Sequence, residues 1–142
     1  MDVFAEGSPV PVPDRDSQPF WDACRQRRLV VRSCNRCGRA HYPPGPVCPW
    51  CVSFDLGWAE DSGRGHVRSF VTFRHPFLPA LRDALPYVLL KVVLDEHSDA
   101  VLHGRLLHAP PEAVQVGTPV RVEWEEIGGG HVIPNWSVAA DG

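Results

Sequence analysis

Two Cys-x-x-Cys pairs, Cys34/Cys37 and Cys48/Cys51, stand ten residues apart in the stretch CNRCGRAHYPPGPVCPWC. No other feature of the 142-residue chain restricts its fold as tightly. Each pair points two sulfurs the same way. Two such turns facing each other across a short hairpin make a tetrahedral four-thiolate site, with sulfur ~2.3 Å from a zinc ion. The intervening YPPGP supplies the reversal, and Gly38 lets backbone amides turn towards sulfur. Four protein ligands leave no place for water, so the expected role is structural. Three rivals share these residues. Iron accepts the same cage. CPWC alone resembles a redox dithiol, but such sites open a helix in a βαβ unit, whereas VSFDLGW after Cys51 reads as strand. Paired disulfides would need an oxidising compartment, and MDVFAEGSPVPVPDRDS has neither the basic nor the apolar region of a signal peptide. The expectation is a zinc site in a reduced, cytoplasmic protein.

Around this module the chain divides into three expected parts. Residues 1–16 read as a flexible arm, since Pro9, Pro11 and Pro13 oppose a helix or a central strand. Residues 17–62 hold a short amphipathic helix over about 17–27, capped by Ser17, followed by the ribbon. In that helix Phe20, Trp21 and Cys24 recur at helical spacing. Cys24 lies outside the metal pattern and is expected to be a buried free thiol. From residue 63 to 142 the pattern is β. HVRSFVTFRH, YVLLKVVLDE and VLHGRLL come first, then the helical insert PPEAVQVG, then TPVRVEWEEI and HVIPNWSVA. Five strands with a short helix after the third is the connectivity of an OB-fold barrel. A generic small barrel or a β-sandwich is the plainer alternative. The expected fold is therefore mainly β: a helix, a rubredoxin-like zinc ribbon and a five-stranded OB-fold barrel.

The residues show no G-x-S-x-G, no Gly-rich phosphate loop and no H-E-x-x-H. The acid pairs Asp95–Glu96 and Glu125–Glu126 read as solvated charge. The seven histidines stand at no metal-ligand spacing. Two features remain. Arg25, Arg27, Arg28, Arg32, Arg36 and Arg39 crowd one stretch without an acid. They form either a solvated face or an anion site, since guanidinium binds phosphate bidentately. The other is apolar surplus. The connection HPFLPALRDALPY carries Phe77, Leu78 and Leu81, and YVLLKVVL is apolar on both faces although a barrel strand needs only one. The helix and ribbon, or another protein, must cover it. Nucleic acid is disfavoured as a ligand. Residues 63–142 hold seven basic and nine acidic residues, too few cations for phosphate neutralisation, and strands two and three offer only Tyr87 for stacking. No apolar run approaches the ~20 residues that span a bilayer.

PFWDACRQRRLVVRSCNRCGRAHYPPGPVCPWC, SGRGHVRSFVTFRH, LPYVLLKVVLDE, HGRLL and VGTPVRVEWEE together resemble the acyl-CoA-associated zinc-ribbon/OB-fold family, long catalogued as a domain of unknown function. The resemblance runs over roughly 17–138. It implies zinc on Cys34, Cys37, Cys48 and Cys51. It also implies an accessory subunit of a thiolase-superfamily enzyme, such as a lipid-transfer-protein-like thiolase or aldolase. Such subunits supply no catalytic residue. They occur alone or fused to a hydratase-like domain, notably in bacterial steroid side-chain breakdown, and help shape the partner's acyl-CoA site. A CoA thioester shared with the partner would then meet Arg25, Arg27, Arg28, Arg32 and Arg36. The partner would meet Trp21, Phe77, Leu78 and Leu81. A stand-alone acyl-CoA or nucleotide carrier is the alternative from another class.

Overall fold

The computed structural model describes residues 9–140; most of the expected arm, residues 1–8, lies outside them. Residues 9–14 carry neither helix nor strand. Helix α1 (Gln18–Arg25) buries Phe20, Ala23 and Cys24, the i, i+3, i+4 stripe its sequence dictates. Pro19 sits in the first turn, where its missing N–H costs nothing. Ser17 is the N-cap residue, but its hydroxyl turns back to accept the Asp14 N–H at 3.0 Å. The Ser17 N–H in turn donates to Asp14 Oδ1 at 2.7 Å.

Strands β1 (Leu29–Cys34), β2 (Ala40–His41) and β3 (Leu56–Asp61) form the ribbon in the order β2-β1-β3, antiparallel throughout. The second sheet contains β4 (Arg64–Phe73), β5 (Tyr87–Leu94), β6 (Val101–Arg105), β7 (Pro119–Ile127) and β8 (His131–Val138), ordered β6-β5-β4-β7-β8. The helical insert is a single 3-10 turn, Pro111–Ala113, and a second turn, Pro79–Ala84, lies in the β4–β5 connection.

This is the OB-fold order, but the ladder does not close into a full barrel. Its edges, β6 and β8, meet at one parallel bridge, Leu106–Trp136, where the Leu107 N–H donates to the Trp136 carbonyl at 2.8 Å. Pro134 in mid-strand has no N–H to give either neighbour. Side chains complete the seam instead. The Arg105 N–H donates to Asn135 Oδ1 at 2.9 Å, Asn135 Nδ2 donates to Glu125 Oε1 at 3.1 Å, and Arg105 Nη2 donates to Glu125 Oε2 at 2.8 Å. Glu125 is therefore not the solvated acid its position suggests. Gly104 is required here, because a Cβ would lie 2.7 Å from the Trp136 ring.

The turn from β3 into β4 is fastened in the same manner. Gly63 has φ +79°, and the Val122 side chain fills the space a Cβ would need. The buried Asp61 carboxylate accepts the Gly63 N–H at 2.7 Å and holds His97 Nδ1 at 2.6 Å. One core runs through helix, ribbon and barrel. Phe20, Cys24, Val31 and Ala40 belong to the same buried cluster as Val67, Leu90, Val92, Leu102 and Trp136. On β5 the inward residues Val88, Leu90, Val92 and Leu94 are buried, while Tyr87, Leu89, Lys91 and Val93 are half-covered. Leu89 shares a groove of about 320 Å³ with Trp21 and Tyr42, so helix and ribbon supply part of the expected cover.

Candidate metal centre and partner surface

Cys34 ends β1, Cys37 follows in the next turn, and Cys48 and Cys51 bracket the second turn. The backbone closes each turn around sulfur, with the Gly38 N–H donating to the Cys34 carbonyl at 2.9 Å and the Val52 N–H to that of Cys48 at 3.0 Å. Gly38 at φ +78° allows the first closure. The second puts the β-branched Val52 at φ +63°, a strained position held by the knuckle itself. All four sulfurs lie within 4.8 Å of one another; Cys34–Cys51 and Cys37–Cys48 are 3.6 Å apart. Tetrahedral coordination at a zinc–sulfur length of ~2.3 Å requires sulfurs about 3.8 Å apart, so the cage fits the ion. The Arg36 and Cys37 amides donate to Cys34 Sγ at 3.3 and 3.4 Å. The Cys37 amide above all, with that of Arg36, lowers the Cys34 thiol to about 6 against the pull of burial. Burial pushes Cys48 upward, but the Cys51 and Trp50 amides prevail and bring it below the ordinary thiol value. Thiolates presented this way are ready metal ligands, whereas Cys37, despite the Arg39 amide, is pushed up to about 11 by burial and the neighbouring sulfurs.

Cys24 behaves oppositely. It is fully buried, and burial raises its thiol to about 12. Iodoacetamide at pH 8 is therefore expected to leave Cys24 unmodified in the folded protein and to label it after denaturation, as read by peptide mass mapping. His41 is a buried residue that its spacing did not reveal. It is 6% exposed, and neither ring nitrogen has a hydrogen-bond partner among the described residues. Burial, then the nearby Arg32 charge, holds its pKa below the ordinary imidazole value. Below about pH 6.5 the unfolded chain binds a proton at this position that the fold resists. Stability should therefore fall with acidification, by at most about 1.4 kcal/mol per pH unit from this group. Melting curves of the metal-loaded wild type and His41→Phe between pH 5 and 8 test this, with the variant losing that part of the slope.

Most of the arginines are answered singly by other groups of the fold, although Arg25 and Arg27 line a common pocket. Arg27 Nη2 meets Glu126 Oε1 at 2.7 Å, Arg28 Nε meets Glu60 Oε1 at 3.0 Å, and Arg25 lies 3.9 Å from Asp22. Arg32 stacks 4.9 Å from the Trp58 ring centroid and Arg39 5.0 Å from that of Trp50. Arg36 has no ion pair among the described residues. Distant acids in the folded chain answer a cluster that looks unbalanced in sequence. Trp21 and Leu81 do come together, on the walls of the groove with Tyr42, Ala84, Tyr87 and Leu89. Phe77 (72% exposed) and Leu78 (44%) remain open to solvent. So do Trp50, Val52 and Phe54 beside the sulfur cage, which the spacing did not single out.

A four-sulfur cage on a β-ribbon, packed through a shared core against five strands in OB order, defines a zinc-ribbon/OB-fold protein. The family model of the rubredoxin-like zinc ribbon domain of ChsH2 matches residues 21–57, and that of the ChsH2 C-terminal OB-fold domain matches 58–125. The chain belongs to this ChsH2 (DUF35) family. A solved chain described as "Ltp2-ChsH2(DUF35) aldolase" is 35% identical, with a TM-score of 0.81 over 92% of this chain and all of that one. The "Probable enoyl-CoA hydratase alpha subunit" of Thermomonospora curvata is 38% identical over 83% of this chain and 36% of its own length. The "3-oxo-4,17-pregnadiene-20-carboxyl-CoA hydratase alpha subunit" of Mycobacterium tuberculosis is 31% identical over 94% of this chain and 44% of its own. This chain thus spans less than half of either relative. A DUF35-family structure from Sulfolobus solfataricus, 15% identical at TM-score 0.62, shares the fold. A protein of Pyrococcus furiosus that is 28% identical over 76% of this chain and 77% of its own length is named "DUF35 domain-containing scaffold protein". Among the described residues, no helix is long and apolar enough to cross a membrane.

Proposed function

We propose that this chain is a non-catalytic, zinc-stabilised subunit that docks on a thiolase-superfamily enzyme of the lipid-transfer-protein-like type and supports its action on acyl-CoA thioesters. The observation that carries this reading is the fit, over 92% of this chain and all of the other, to the chain described with an aldolase. The reaction we favour is retro-aldol cleavage of a β-hydroxyacyl-CoA in steroid side-chain degradation. The hydratase names of two relatives agree with it, because adding water to an enoyl thioester yields the β-hydroxy thioester that a retro-aldol step cleaves. The solvent-open Phe77 and Leu78, together with Trp21 and Leu81 of the groove, are the proposed partner contacts. Of the arginines, Arg36 is the one with neither an ion pair nor a stacked ring to leave for a CoA phosphate among the described residues, whereas Arg27 and Arg28 would first have to leave Glu126 and Glu60, and Arg32 and Arg39 the rings of Trp58 and Trp50. Co-expression of the tagged chain with the nearest thiolase-like protein of its host tests the proposal. The expected product is a stable complex by light scattering, with one zinc per copy of this chain. Elution of this chain alone would sink it.

A second reading, a stand-alone acyl-CoA carrier, draws on the groove of about 320 Å³, which is within the size range of small-ligand sites. Micromolar binding of a fatty acyl-CoA by the isolated chain, weakened by Leu89→Asp, would favour it.

A further inference from the structure

Strand β4 pairs with β5 along its length, but its other edge is covered only at the start. Arg64, Gly65 and His66 pair with β7, and the Val67 N–H and carbonyl meet Thr118 and Gly117. A register shift against β5 follows between Val67 and Ser69. Beyond it, residues 68–73 have no backbone partner on that side among the described residues. An uncovered edge is a row of unpaired N–H and C=O groups, a template for one more strand. The side chains add to it. Phe70 is 41% and Val71 47% exposed, and neighbours in a strand point to opposite faces, so both faces of the ribbon offer apolar surface. Phe73 extends the patch by stacking on Tyr87 at 4.8 Å and meeting Phe77 edge-on at 6.2 Å.

Charge decides what can pair there. From residue 63 to 82 the chain contains no Asp or Glu. Arg68 and Arg74 bracket the apolar segment, are exposed, and make no ion pair among the described residues. Lys91, opposite Ser69 on β5, adds a third cation. A second copy of this chain paired antiparallel about Val71 would set Arg68 against Arg74 at both ends, and like charges directly opposite are unfavourable. The same arginines favour a strand with acids at both ends.

We propose that the free edge of β4 over residues 68–74 takes an extended segment of a different protein, apolar at its centre and carrying carboxylates at both flanks. This deepens the accessory-subunit reading by assigning a mode of contact to the partner, and its test does not depend on which enzyme that partner is.

The probe is a fluorescein-labelled Thr/Val peptide of about nine residues, the length of a long strand, with two glutamates at each end. Fluorescence anisotropy with the metal-loaded full chain is the readout. The Glu-flanked peptide is expected to bind about tenfold more tightly than its Lys-flanked counterpart, the sum of several cross-strand charge pairs. In R68E/R74E the preference should invert. Methylating alternate backbone amides on the pairing edge of the peptide should abolish binding, which charge alone would not do. Absence of binding by either peptide, binding indifferent to methylation, or an unchanged preference in R68E/R74E would each overturn the proposal. So would a concentration-dependent dimer of the free chain broken by Val71→Glu, because the edge would then belong to a second copy. A chain that forms the enzyme complex yet fails with the peptides would lose this edge as the contact and keep its accessory role.

Discussion

Removal of zinc is expected to unfold residues 28–58 and to take much of the barrel's stability with it. Zinc binding at structural sites of this kind contributes about 10–16 kcal/mol in small fingers, against about 5–15 kcal/mol for the net stability of a whole domain. Beyond the β1–β3 ladder the ribbon has little else to hold it, since β2 is two residues long and the knuckle after Cys48 keeps Val52 in a strained conformation. The damage should spread, because Leu29, Val30 and Val31 of β1 lie in the same buried cluster as the barrel residues. Hydrogen exchange with and without a strong chelator is the direct measurement. Protection should vanish over 28–58 and weaken on the barrel strands, with a melting temperature lowered by tens of degrees, given that ~1 kcal/mol moves a domain of this size by several degrees. An unchanged melting curve in the metal-free protein would refute the structural role of the cage. Cys48→Ser should reproduce the chelated state.

The second large effect is expected at Trp136. Its ring is fully buried, fits against Gly104, and belongs to the residue that makes the single backbone bridge across the β6–β8 seam among the described residues. Trp136→Ala should cost about 3–5 kcal/mol, the usual range for emptying a large aromatic site in a core. Urea unfolding would measure it, with the midpoint shifted and the slope unchanged if the fold survives. Gly104→Val attacks the same contact from the other side and should be comparably harmful. If Trp136→Ala cost less than about 1 kcal/mol, the typical effect of an ordinary substitution, the seam would not depend on this packing.

What could be read in the sequence was whatever repeats with a short period. The Cys-x-x-Cys spacing announced the cage, and the apolar run YVLLKVVL and the alternation of VRVEWEEI announced strands that the structure places at Tyr87–Leu94 and Pro119–Ile127. Connectivity then followed from the order of elements. Long-range electrostatics could not be read this way. Arg27 finds Glu126 ninety-nine residues away, and Asp61 finds His97 across thirty-six, with no local pattern to mark either pairing. The open seam was equally hidden, because a side-chain bridge from Asn135 to Arg105 and Glu125 leaves no periodic trace. Nothing in its spacing set His41 apart from the other histidines, and only burial distinguishes it.

The boundary between the two family segments falls at residues 57 and 58, inside β3. That strand pairs with β1 from Leu56 opposite Cys34 to Asp61 opposite Leu29, then turns at Gly63 directly into the barrel. A genetic exchange at this point would divide one hydrogen-bonded ladder between two parents and leave each half with an unmatched strand. The ribbon and the barrel therefore form one structural unit, and a chain cut or recombined between residues 57 and 58 is expected to leave neither half folded.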